Sequence, residues 1–147
     1  MQGAPDRTSF RIELTTTPSE SEIARIRAGL SAFNRSRIPD RMYMPLVFTL
    51  FDVNGEFAGG LTGNLAYGWL FIDLLWVADR VRGQGHGRSL VLAAENEASA
   101  RGCRNSWLDT FSFQARDFYE RLGYSIFGEL EDFPPGHCRY FMRKALV

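Results

Sequence analysis

Apolar and polar positions alternate over 8–14, Thr-Ser-Phe-Arg-Ile-Glu-Leu, as along a half-buried strand. Hydroxyls and acids at 18–22 then precede Ile23, Ile26, Ala28 and Leu30 at near-helical spacing, which predicts a helix weakened by Gly29 and ended within 34–40. From 46 to 77 the pattern is that of strands. An apolar run over 46–53 meets Asn54-Gly55, a strong hairpin signal, and a second strand follows over 56–65. Gly59, Gly60 and Gly63 in that strand predict a bulge or a close backbone approach. Tyr67-Gly68 marks another turn before 69–77, apolar almost throughout, as a strand covered on both faces would be.

A glycine-rich turn over 83–87 opens into a helix expected at 85–100, with Leu90, Val91, Ala94 and Ala98 on one face and Gly102 as a stop. Further elements are expected at 106–110 (strand), 114–122 (helix), 124–130 (strand) and 139–144 (strand), with Pro134-Pro135-Gly136 in the last loop. The absence of repeats, linkers and low-complexity segments makes 1–147 one expected domain.

Composition narrows the function classes. Seventeen basic and seventeen acidic side chains cancel, so no global field favours nucleic acid or an anionic membrane. Neither an apolar span nor a signal core is present, so a cytoplasmic protein is expected, with its two cysteines reduced. His86 and His137 are too isolated for a metal site, and no metal is expected.

The chemistry concentrates in Arg82-Gly83-Gln84-Gly85-His86-Gly87-Arg88. Glycines admit a ligand to the backbone, and the first N–H groups of a helix are unpaired and favour an anion such as a pyrophosphate. The string is neither a P-loop nor a dinucleotide fingerprint, whose third glycine would come one residue later.

This segment resembles the coenzyme A motif of the GNAT superfamily of acetyl-coenzyme A-dependent N-acetyltransferases, through Arg82, Gly85 and Gly87. Leu75-Trp76-Val77-Ala78 looks like the end of that family's fourth strand. Ala115-x-x-Phe118-Tyr119-x-x-x-Gly123-Tyr124 looks like its second signature. Ser112 stands where many members carry an asparagine that contacts the cofactor.

The resemblance implies an α/β fold, a mixed and mainly antiparallel sheet of six to seven strands flanked by helices. It implies acetyl-coenzyme A as cosubstrate, with the pantetheine arm on backbone groups of Trp76 and Val77 and the pyrophosphate on the N–H groups of 83–88. Tyr119 becomes the acid that protonates the departing sulfur. Asp73, expected to be buried in an apolar strand with a raised pKa, and Asp109 are candidate bases, and water could serve instead. The acidic run at Glu129, Glu131 and Asp132 is a solvated turn or an attractor of cationic substrate, and His137 is a loop residue or a substrate contact. The expected reaction is acetylation of a primary amine on a cationic small molecule, and a homodimer is allowed. Three alternatives are a coenzyme A-binding regulator without catalysis, an acetyltransferase acting on protein or peptide amines, and a nucleotide-dependent transferase using the same turn.

Overall fold

The computed structural model describes residues 10–38 and 43–146. The chain forms two compact units that meet in sequence at residues 40 and 41. The first holds α1 (Glu20–Arg37), which runs through Gly29 and ends within the expected 34–40 stretch. Ser19 caps it in a reciprocal box: its hydroxyl accepts from the Glu22 N–H, and the Glu22 carboxylate accepts from the Ser19 N–H at 2.7 Å. Arg35 and Arg37 in the last turn complement the helix dipole, which offsets the weak propensity of Asn34 and Ser36. The strand expected at 8–14 is not found: residues 10–14 are exposed and join no ladder among the described residues, and alternation makes a strand only where a ladder partner exists. Thr8 and Ser9 lie outside the described residues.

The second unit is a six-stranded sheet ordered β1-β2-β3-β4-β6-β5. Its strands are β1 (Tyr43–Phe51), β2 (Phe57–Ala66), β3 (Trp69–Val77), β4 (Asn105–Phe111), β5 (Ser125–Glu131) and β6 (Cys138–Ala145). α2 (His86–Ala100) carries the chain from β3 to β4, and α3 (Arg116–Arg121) from β4 to β5. All strand pairs are antiparallel except β3 with β4. A parallel pair needs a crossover, which α2 supplies.

Both expected turns join antiparallel strands, and they differ in build. Tyr67 and Gly68 both take positive φ, 52° and 78°, and join Ala66 to Trp69 as a two-residue turn of the type that matches strand twist. Asn54-Gly55 instead sits in a longer loop. There the Asp52 carboxylate accepts from the Asn54 and Glu56 N–H groups, and only Gly55 has positive φ.

α2 buries Leu90, Val91, Ala94 and Ala98 against the sheet, the face its periodicity predicts. Glu95 is on the same buried face, 6% exposed. Lys144 Nζ approaches its two carboxylate oxygens at 3.0 and 2.8 Å. The Tyr124 hydroxyl donates to Glu95 at 3.0 Å and lies 2.8 Å from the Ser106 hydroxyl. Burial is the main cause that pushes the Tyr124 hydroxyl far above its ordinary pKa. The network ties α2 to β4, to β6 and to the residue that leads into β5, and a carboxylate stripped of its cation there would be costly. Lys144→Met is expected to destabilise the fold by about 3 kcal/mol, read as a lower urea midpoint at constant slope. A midpoint unchanged from wild type would show the ion pair contributes nothing.

Candidate active site

The site follows from where one ladder stops. β2 holds β3 as far as Gly59 opposite Val77, but β4 pairs with β3 only from Trp69–Asn105 to Ile72–Leu108. Beyond that point β4 continues against β6 to Phe111. The edge of β3 from Asp73 to Val77 is therefore without a β4 partner, and a wedge opens between the strands. A cavity of about 1040 Å³ occupies this region, walled by β3, the glycine turn, the start of α2, β4 and the start of α3. Its unpaired strand edge suits an extended ligand with amide groups of its own.

A β-bulge sits where the wedge begins. Thr62 is opposite Leu74 and Gly63 opposite Ile72, so Asp73 is the extra residue. A side chain at Gly63 would run into the Phe71 carbonyl, which accounts for that glycine. The bulge breaks strand alternation: Asp73 and Leu74 are both exposed. The burial expected for Asp73 is thus not found. Apolar neighbours in sequence imply burial only while strands lie on both sides, and here one side is open. Asp73 lines the cavity as an exposed carboxylate.

The glycine turn reaches the same cavity. Arg82, Gly83, Gly85, His86, Gly87 and Arg88 line it, and Gln84 does not. Gly85 caps α2 with φ 83°, a conformation that favours glycine. The first bond of the helix is donated by Ser89 N–H to the Gly85 carbonyl at 3.0 Å, so the N–H groups of His86, Gly87 and Arg88 have no partner within the helix. No acidic side chain stands in that first turn. These donors and the helix dipole fit a phosphate anion.

Arg82, on the cavity wall, also has partners within the protein. Its guanidinium donates to the Val77 carbonyl at 2.8 Å and pairs with Asp79 at 2.6 Å, so it braces the turn against the end of β3. Arg88 remains exposed at the cavity wall.

Tyr119 is buried, 7% exposed, with its ring edge-on to Phe118 and Tyr124. Burial, and secondarily the charge of Asp109, push its hydroxyl up to about 12. The hydroxyl therefore keeps its proton through the neutral range. Among the described residues it has no hydrogen-bond partner. The join from β4 to α3 fixes its place: Gln114 Oε1 accepts from the Phe111 N–H at 2.9 Å, and the Ala115 N–H donates to the Thr110 hydroxyl at 3.3 Å.

Asp109 also lines the cavity, but its carboxylate accepts from Arg139 Nε at 2.8 Å. That pair, bridging 30 positions, has no signal in the sequence. Ser112 is outside the cavity wall. Its hydroxyl accepts from the Cys138 N–H at 3.1 Å and lies 3.2 Å from His137 Nδ1, so it fastens the end of β4 to the start of β6. Glu129, Glu131 and Asp132 are exposed on β5 and the following loop, and none lines the cavity. Sequence reasoning missed Phe113 and Gln114, which do; they lie in the connection before α3, where no periodicity marks a wall.

A parallel pair opened into a wedge, with a glycine-capped crossover helix at its mouth, makes a site whose free strand edge and first helix N–H groups suit an extended phosphorylated ligand. The profile of the acetyltransferase (GNAT) family matches residues 12–124, and the chain belongs to that family. It is a GNAT-type acetyltransferase. It is 43% identical over 93 residues to the blasticidin-S acetyltransferase of Streptomyces morookaense, covering 63% of this chain and 68% of that one. An acetyltransferase of Agrobacterium fabrum is 36% identical over 126 residues, covering 86% and 91%. The crystal structure of an acetyltransferase from Bacillus cereus superposes with a TM-score of 0.80 at 33% identity, covering 90% of this chain and 97% of that chain.

Proposed function

We propose that this enzyme transfers an acetyl group from acetyl-coenzyme A to a primary amine of a cationic small molecule, working as one N-acetyltransferase domain over 1–147. The observation that carries the reading is convergence: the unpaired edge of β3, the first residues of α2 and Tyr119 all line one cavity. The match over 12–124 supports the single domain, and a relative named for blasticidin S supports a small-molecule acceptor.

Acetyl-coenzyme A, when bound, supplies a thioester whose carbonyl carbon an amine can attack. The edge of β3 at Trp76 and Val77 holds the pantetheine amides as a neighbouring strand would; the Trp76 carbonyl lies against Gly59 of β2 and the Val77 carbonyl is engaged by Arg82, which leaves the Val77 N–H as the free group on the open side. The N–H groups of 86–88, with Arg88, hold the pyrophosphate. The incoming nitrogen must be neutral, and an alkylammonium has a reference pKa near ~10.4. Asp73, exposed at the bulge, accepts that proton directly or through one water. Asp109, already paired with Arg139, orients the site instead. As the C–N bond forms and the C–S bond breaks, Tyr119 donates a hydrogen bond to the departing sulfur and then its proton. Its high pKa makes hydrogen bonding the earlier contribution, because a thiolate of reference pKa ~8.5 is a weaker base than this tyrosinate.

The test is release of free thiol from acetyl-coenzyme A with a panel of primary amines, and identification of the acetylated product by mass. Thiol release with small cationic amines is expected; release with peptide amines alone would overturn the acceptor class. Asp73→Asn is expected to lower kcat/KM for a cationic amine about tenfold at low salt and to flatten its salt dependence. An unchanged rate and salt slope would remove Asp73 from the reaction.

A further inference from the structure

Three phenylalanines gather where β4 leaves the sheet. Phe111 and Phe113 stack with ring centres 5.2 Å apart and planes within 6°, and Phe111 meets Phe133 at 5.8 Å. Two of the three rings stay wet: Phe113 is 56% exposed and Phe133 43%. Apolar ring surface left wet at the wall of a cavity is available to a ligand that enters it. Phe113 is part of the cavity wall that also holds Asp73 and Tyr119, so the occupant shares the catalytic cavity.

The rings are held in place. His137 stands edge-on to Phe113 at 5.0 Å, with its Nδ1 3.2 Å from the Ser112 hydroxyl. The Arg139 guanidinium lies 5.3 Å from the Phe111 ring and 5.2 Å from the Phe133 ring while pairing with Asp109. A cation held beside both rings by its ion pair fixes Phe111 and Phe133 in orientation, which lowers the entropy lost when a flat group joins the stack. The near-parallel Phe111–Phe113 stack covers one side of Phe113 and leaves the ring half-exposed. A third planar ring can extend the stack at ordinary offset-stacking distances.

The cavity thus combines an ordered aromatic platform with the exposed carboxylate of Asp73. We infer that the acceptor carries a planar aromatic or heteroaromatic ring close to its primary amine: the ring extends the stack at Phe113 and the ammonium faces Asp73. The inference rests on the N-acetyltransferase reading and adds the substrate class to it. A purely aliphatic polyamine would leave the platform uncovered and gain only from the charge.

Two amines separate the contributions, because 2-phenylethylamine and 2-cyclohexylethylamine share chain, charge and approximate size and differ in the π system. Calorimetric titration of each into the protein with excess coenzyme A is expected to show the phenyl amine binding about three- to tenfold tighter. Phe113→Leu, at a position exposed enough to leave folding intact, is expected to erase that preference. Equal or reversed affinities in the wild type, a preference that survives in Phe113→Leu, or binding by neither amine would overturn the inference. Thiol release with the same amines separates the two readings. A Phe113-dependent preference in binding, without thiol release by these or any other amine, would sink the N-acetyltransferase proposal and leave the aromatic site standing.

Discussion

Replacing Tyr119 with phenylalanine is expected to reduce kcat by about 10²–10⁴-fold while coenzyme affinity stays unchanged. The substitution keeps the ring and its edge contacts with Phe118 and Tyr124, at 5.1 and 5.9 Å, so the fold is retained. It removes one hydroxyl from the cavity. Burial holds that hydroxyl up to about 12, so its proton is present at every pH at which the enzyme is assayed. The sign of the pH dependence follows: the acid form is lost only as pH rises through about 12. Wild-type and variant profiles should therefore stay parallel from about pH 6 to pH 9. A kcat within about twofold of wild type, in a variant whose chemical step is shown by single-turnover kinetics to be rate-limiting, would end the case for Tyr119 as the acid.

The second large effect belongs to the turn. Gly85 occupies the left-handed region, and a β-branched residue there is strained whatever space surrounds it. Added Cβ atoms at Gly83 and Gly85 meet nothing within 4 Å, so no protein clash obscures the result. Gly85→Val must instead distort the backbone that presents the first N–H groups of α2, or project its methyls where the phosphates would lie. Coenzyme A affinity is expected to fall at least about 100-fold, since several charge-assisted hydrogen bonds are lost together. Circular dichroism should confirm an intact fold, because the core face of α2 begins at Leu90. Wild-type affinity in the folded variant would move the coenzyme to another surface.

The elements set by short-range rules were legible in the sequence. The limits of β3 coincide with the apolar run at 69–77, and α2 begins one residue after the expected start. The rest depends on partners that sequence distance hides. Residues 10–14 carry the alternation of a strand and pair with none, whereas α1 runs through an unfavourable composition because its caps and end charges support it. The exposure of Asp73 follows from a bulge set by β2 and from the end of a ladder with β4, neither of which local pattern encodes. The glycine turn and Tyr119 stand out in the sequence because their spacing is local, and both line the cavity. Arg139 beside Asp109 and the platform at Phe113 do not stand out, because each is assembled across β4, β6 and their loops.

The short parallel ladder has a mechanical consequence. Strands β1–β3 and β4–β6 are two antiparallel blocks stitched by four facing residue pairs, Trp69–Asn105 through Ile72–Leu108, with α2 as a strap. On the proposed reading, a cosubstrate in the wedge would extend this seam with its own amides and touch both blocks at once. It would then act as a clasp whose binding energy adds to the cohesion of the fold. At a free concentration of about 100 times its dissociation constant the gain is about 2.7 kcal/mol. In a cell rich in acetyl-coenzyme A, the enzyme would resist opening along this seam in proportion to the supply of its own donor.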